Sequence, residues 1–308
     1  MTTLLYTHEA CLAHDPGSYH PESPARLRAV LEGLESPAFA ALDLRKAPRA
    51  ELEDLVRAHS ARFVEAMLAA IPAAGHAAVD ADTIVSPDSG EAALRAAGAV
   101  CAAVDAVLAG EAANAFCAVR PPGHHAERER AMGFCLFNNI AIGAARARAV
   151  HGLERVAAID FDVHHGNGTQ AIFEADPDFF YGSTHQWPLY PGTGARSETG
   201  VGNVVNVPLP PMAGSSEFRH GVSQFILPAL EEFRPDLIMI SAGFDAHRDD
   251  PLAQLMLVEA DYAWVTERLL ECAQRRCGGR VVSSLEGGYD LRALAASAAA
   301  HVAALMAA

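Results

Sequence analysis

The chain has 308 residues, 51% of them hydrophobic and 20% charged, which supplies a large core and excludes global disorder. The formal net charge is −15 and Lys46 is the only lysine, so the surface repels phosphate backbones and anionic bilayers, and neither nucleic acid nor membrane is expected as a partner. Length alone would allow two domains of roughly 150 residues. No linker, repeat or charge block divides the sequence, however, and one domain over residues 1–308 is predicted.

The cysteines (Cys11, Cys101, Cys117, Cys135, Cys272 and Cys277) are scattered, with no C-x-x-C and no disulfide-framework spacing. That pattern fits free, buried thiols in a reducing compartment. The opening MTTLLYTHEA has neither the basic flank nor the apolar stretch of a signal peptide, and a cytoplasmic location is expected.

In chain order, short apolar runs predict strands at Leu4–Thr7, Ala115–Val119, Val156–Ile159, Phe179–Tyr181, Val204–Val207, Leu237–Ser241 and Val281–Leu285. Helical patterns lie between them at Pro24–Leu34, Ala61–Ala70, Glu91–Ala109, Asn139–Val150, Ser216–Phe233, Glu259–Arg276 and Leu291–Ala307. The Glu91–Ala109 segment carries Glu91, Arg95 and Asp105 and is bracketed by Gly90 and Gly110, so it reads as a buried helix rather than a membrane span. Alternating strands and helices predict an α/β fold of three layers, α/β/α, around a mainly parallel sheet.

In such sheets functional groups collect beyond the carboxyl ends of the strands. Here those ends read RPPGHH (120–125), DFDVHHGNG (160–168), STH (183–185), AGFDAH (242–247) and EGGY (286–289). Asp162 and His164 are two apart, so an extended strand end points both side chains the same way. An acid from another strand end, Asp245, would complete a three-ligand site with an open fourth position, the pattern of catalytic zinc. An ion-paired Asp/His cluster is the competing reading of the Asp-x-His alone.

His124 and His125 follow a rigid Pro-Pro-Gly turn, and their natural partners are Asp160 and Asn167. A carboxylate on one imidazole and an amide on the other would give two bases of unequal strength, suited to general acid–base work. Tyr289, after two glycines, would place a phenol where an oxyanion develops, or else pack under a glycine turn. No G-x-S-x-G and no phosphate loop is present.

The strings HPESPxRL (20–27), RPPGHH, GFCLFNN (133–139), DFDVHHGNGT (160–169), YPGTG (190–194), SAGFDAH (241–247) and LEGGY (285–289) resemble the histone deacetylase family, nearest its class II and bacterial amidohydrolase-like branch. The match runs from about residue 8 to 290 in the right order. The resemblance implies an arginase/deacetylase-like fold with an eight-stranded parallel sheet, and a zinc-dependent hydrolase that removes an acetyl or other acyl group from an amine. It implies one zinc per chain on Asp162, His164 and Asp245, with His124, His125, Asp160, Asn167 and Tyr289 as the catalytic set.

More loosely, it implies an acyl-chain tunnel of Gly133, Phe134 and Tyr190 with Leu252 at its rim, and an inner-cavity arginine at Arg26. It also implies a structural potassium ion (K+) near Asp160, Asp162, His164, Ser183 and Thr184. Asp82 lies near where relatives accept a substrate backbone amide, or is an exposed loop aspartate. Asn167 and Glu286 follow the class II pattern. Acetyl-lysine in a peptide or protein is the expected substrate, because polyamine-selective relatives place a glutamate where Leu252 stands. An acetylpolyamine or other small acetylated amine is the alternative. A two-manganese ureohydrolase and a catalytically inactive binder of acetylated ligands are remote, since His165-Gly166 leaves a second metal short of ligands and no zinc ligand or tyrosine is missing. A homo-oligomer is allowed.

Overall fold

The computed structural model describes residues 2–308. The strands are β1 (Thr3–Thr7), β2 (Asp43–Lys46), β3 (Ala77–Ala78), β4 (Ile84–Val85), β5 (Asn114–Cys117), β6 (Val156–Asp160), β7 (Phe179–Gln186), β8 (Val204–Leu209), β9 (Leu237–Ala242) and β10 (Val281–Leu285). The helices are α1 (Ala10–Ala13), α2 (Pro24–Gly33), α3 (Leu52–Ala58), α4 (Ala61–Ala69), α5 (Ser89–Leu108), α6 (Asn139–His151), α7 (Asn167–Phe173), α8 (Ser215–Gly221), α9 (Leu227–Phe233), α10 (Glu259–Cys277) and α11 (Leu291–Met306).

Eight strands form one sheet in the order β2-β1-β5-β10-β9-β6-β7-β8, and every pairing in it is parallel. The fold is the α/β sandwich expected. The central strands are buried along their whole length, which is why they read as short, mostly apolar runs without polar–apolar alternation. Side chains alternate between the two faces. At Gly143, α6 packs against Val100 of α5 and Met239 of β9, whereas Ser283 of β10 faces the other way and bonds His301 of α11 at 2.8 Å. No helix among the described residues is long and apolar enough to cross a membrane.

Three departures from the sequence reading have local causes. β2 was not predicted: its residues alternate between half-buried and exposed and include Asp43, Arg45 and Lys46. It is an edge strand paired only with β1, where charge protects an open ladder. The expected helix Ser216–Phe233 is present as one continuous helical run from Ser215 to Phe233, but its middle turn, Val222–Ile226, widens to a π-helix just before Pro228. Proline lacks the N–H for a regular helical bond and crowds the carbonyl four residues back. β7 runs on to Gln186, because its polar end (Ser183, Thr184, His185) pairs with Asn206–Pro208 of β8 and the Ser183 hydroxyl meets His185 Nδ1 at 2.9 Å. Short α1, α3 and α7 were also not predicted.

The sheet order decides where the chemistry gathers. β5, β10, β9 and β6 are consecutive neighbours. Their carboxyl ends carry, in that order, His124-His125, Glu286–Tyr289, Asp245 and Asp160–His164.

Candidate active site

The strand ends place one ligand atom each from Asp162, His164 and Asp245 within 4.8 Å of one another. Both carboxylates are fully buried, and backbone amides fix them. Asp162 accepts from the N–H of His164 at 2.9 Å and of Gly287 at 2.8 Å, and Asp245 from that of Val163 at 2.8 Å. Gly243 and Gly287 leave the space these groups occupy: a Cβ at Gly243 would collide with the Asp162 carboxylate, and one at Gly287 with that of Asp245.

Nδ1 of His164 lies 3.2 Å from Asp162 and 3.1 Å from Asp245. Burial opposes a charge on this ring, yet the two carboxylates hold its pKa up to about 10. Asp162 is held ionised, whereas burial and then the Asp162 charge raise the Asp245 carboxyl, so ionising both calls for positive charge between them. A two-oxygen, one-nitrogen donor set of this kind fits a divalent ion such as zinc.

His124 and His125 sit beside the cluster with ring centroids 4.0 Å apart. His124 Nδ1 is 3.0 Å from Asp160, and its Nε2 is 3.9 Å from Asp162. Burial disfavours its charge, but Asp162 and Asp160 outweigh burial and raise the pKa to about 10. His125 Nδ1 is 2.8 Å from the side-chain oxygen of Asn167. Burial, then the charges of His124 and His164, push it well below the usual histidine range. The pair is therefore split into a protonated and a neutral imidazole.

Tyr289 lies across a cavity of about 210 Å³ lined by Asp82, His125, Gly133, Phe134, His164, Leu189, Tyr190, Leu252 and Tyr289. Every tunnel residue singled out from the sequence lies on it. Burial raises the Tyr289 phenol well above its ordinary value, keeping it a hydrogen donor. Phe134 stands in the left-handed region (φ 67°), a conformation that costs a residue with a Cβ about 1–2 kcal/mol. Asp82 and Thr83 hold it there: Asp82 Oδ1 accepts the Gly133 N–H at 3.0 Å and Thr83 Oγ1 accepts that of Phe134 at 3.1 Å. Asp82 is thus no free loop residue. Tyr190 packs edge-on against His125, 5.2 Å between centroids.

Arg26 lies behind Tyr289, fully buried, with its guanidinium 4.8 Å from the phenol ring centroid. It donates to the carbonyls of Gly288 (2.6 Å) and Glu286 (2.5 Å) and to Glu22 (3.0 Å). Glu22 also pairs with Arg120. Ser183 and Thr184 are buried in β7, with Ser183 paired beside Asp160.

Sequence reasoning missed several contributors. The Tyr181 hydroxyl donates to Asp160 at 3.0 Å from mid-strand, where it looks like core. Leu189 lines the cavity, Asp250 accepts from the backbone of Leu252 and Tyr289, and Glu127 meets the Asn167 amide. Glu127 sits in a charged run that resembles any solvated turn.

A sequence model of the histone deacetylase domain matches residues 20–305. The chain belongs to the histone deacetylase family. It is 44% identical over 311 residues to a histone deacetylase-like amidohydrolase of Pseudomonas aeruginosa, covering 94% of this chain and 82% of that protein. It is 40% identical over 324 residues to histone deacetylase 14, chloroplastic, of Arabidopsis thaliana, covering 98% and 76%. A probable deacetylase of Archaeoglobus fulgidus is 39% identical over 94% of this chain and 82% of its own. Among solved structures, the crystal structure of the HDA15 HD domain superposes with a TM-score of 0.94 at 36% identity, covering 99% of this chain and 88% of that one. This deacetylase-family chain thus carries the family's fold along nearly its whole length.

Proposed function

We propose that this histone deacetylase family member is a zinc-dependent amidohydrolase that removes an acetyl group from the side-chain amine of acetyl-lysine in a peptide or protein. The observation that carries the reading is one juxtaposition. Asp162, His164 and Asp245 cluster at a narrow cavity that also holds a neutral imidazole, His125, and a protonated phenol, Tyr289.

Zinc, held by Asp162, His164 and Asp245 at one ion per chain, would supply Lewis acidity toward the acyl carbonyl and an acidified water. A potassium ion near Asp160, Asp162, His164, Ser183 and Thr184 belongs to the same reading as a structural ion.

The remaining work falls to the chain's own side chains. Asn167 accepts the Nδ1 proton of His125, which leaves Nε2 to take a proton from the attacking water and return it to the leaving amine. His124, held protonated between Asp160 and Asp162, adds positive potential where negative charge develops. The Tyr289 hydroxyl donates to the developing oxyanion. Phe134, Leu189, Tyr190 and Leu252 give the cavity apolar walls that match a four-carbon alkyl stem and exclude water from it. Asp82 keeps Oδ2 for a substrate backbone amide, while its Oδ1 serves Gly133 and Thr83. At Leu252 the rim offers apolar contact and no charge for a distant ammonium.

The test is a substrate panel with metal analysis: acetyl-lysine peptides, longer acyl-lysines, acetylputrescine and acetylspermidine, with zinc counted per chain. The reading expects about one zinc and the highest kcat/KM on the acetyl-lysine peptide. A preference for acetylpolyamines would move the substrate assignment, and two manganese ions in active enzyme would overturn the zinc assignment.

A further inference from the structure

Asn167 hydrogen-bonds His125 through an amide that, left to itself, can present either end. Its oxygen would select the Nδ1–H tautomer of the imidazole, and its NH2 group would select the opposite one. Which end faces the ring therefore decides whether Nε2 is free to accept a proton.

The opposite end of the amide answers this. Asn167 Nδ2 donates to Glu127 Oε1 at 2.7 Å, with weaker contacts to the His125 carbonyl and to Met132 Sδ, both at 3.4 Å. A carboxylate oxygen accepts and does not donate, so it pins the NH2 group on its side and leaves the amide oxygen for His125. The oxygen lies 2.8 Å from His125 Nδ1. Glu127 is itself held: its backbone bridges to Arg130 in both directions, and its carbonyl is 3.0 Å from His59 Nδ1. Within the run Glu127-Arg128-Glu129-Arg130, Glu127 is the half-buried member and the next three are exposed.

We infer that Glu127 is a positioning residue for catalysis. It fixes the orientation of the Asn167 amide, and through it the tautomer of His125, so that an amide performs the work a second aspartate would do. The inference rests on the assignment of His125 as the proton carrier. It adds the claim that Asn167 and Glu127 operate as one unit, so Asn167 needs Glu127 whereas an aspartate at 167 would not.

The experiment is a double-mutant cycle with a spectroscopic control. Glu127→Ala is expected to lower kcat roughly ten- to a hundredfold, part of the 10²–10⁴ that general acid–base catalysis contributes, with KM and zinc content unchanged. Glu127→Gln, which keeps an acceptor oxygen, should recover most of the loss. In an Asn167→Asp background the sign reverses: two carboxylates then face each other, and Glu127→Ala should leave activity equal or raise it. An equal loss from Glu127→Ala in both backgrounds would make its role structural and sink the inference.

Independently of turnover, 15N spectra of ring-labelled histidine should show His125 as the Nδ1–H tautomer in the wild type and a shift toward the Nε2–H form in Glu127→Ala. An unchanged Nδ1–H signal in the variant would also overturn the inference. A wild type carrying the Nδ1–H tautomer but inactive on every acyl amine would instead refute the deacetylase reading and leave the Glu127–Asn167 coupling standing.

Discussion

The backbone N–H of Tyr289 donates to the buried carboxylate of Asp250 at 2.7 Å. The other oxygen of Asp250 accepts the N–H of Leu252 at 3.0 Å, so one side chain ties the cavity rim to the phenol. Asp250→Ala should release the turn that carries Tyr289. Since a displacement of about 1 Å can cost 10²-fold, kcat should fall by up to that factor while bound zinc is retained. Asp250→Asn should be milder, because an amide keeps one of the two acceptors. Steady-state kinetics with metal analysis checks this, and an unchanged kcat for Asp250→Ala would dismiss the tie.

Tyr289→Phe should lower kcat by roughly 10²–10³, the usual cost of removing one oxyanion donor, with little change in KM. The ring packing against Arg26 and Phe134 (5.9 Å between centroids) survives this substitution, so the melting temperature should hold. A normal kcat would return Tyr289 to a packing role.

Asp245→Ala or Asp162→Ala should abolish zinc binding, because each removes one of three ligands. Chelation of the wild type should stop turnover and lower the melting temperature without unfolding the sheet, since a ligand bound only by the folded state stabilises by mass action. Full zinc occupancy in either variant would refute the ligand assignment.

Asp82→Ala should cost about 1–3 kcal/mol in kcat/KM on an acetyl-lysine peptide, the value of an unpaired substrate donor. The bond from Gly133 to Asp82 means that the same variant also loosens the wall at Phe134. The comparison with acetylputrescine, which has no peptide backbone, separates the two effects. An equal loss on both substrates would leave Asp82 only its wall-holding role.

His301 is fully buried between Thr266 (2.6 Å) and Ser283 (2.8 Å), and burial lowers its pKa to about 3. The unfolded chain takes up this proton near the ordinary value of 6.5, and the folded chain does not. His301 therefore contributes no loss of stability above about pH 6.5. Below that, folding should lose about 1.4 kcal/mol per pH unit for this one group until its folded pKa is reached. Urea unfolding at pH 7 and pH 5 measures the slope, and His301→Gln should flatten it by about that amount. An unaltered slope would show that His301 is charged in the folded state.

The central strands and the chemistry at their ends were legible because each is a local signal. Val281–Leu285 and Leu237–Ala242 are buried throughout because both faces are covered, and serine is the only polar residue in either. Asp162, His164, the His124-His125 pair and Tyr289 stand immediately after such runs, where only backbone direction is needed to place them on one edge of the sheet. The tertiary structure alone decided which of those ends are neighbours. β5 and β10 lie side by side although more than 160 residues separate them, and that adjacency brings Tyr289 to His125. It also decided the supporting contacts. Edge strand β2 is held by one partner and carries no apolar run. Asp250, Tyr181 and Glu127 act through hydrogen bonds to residues 21 to 40 positions away. Composition gives no sign of such partners, because a carboxylate in a charged turn looks the same in sequence whether it faces water or turns inward to orient an amide.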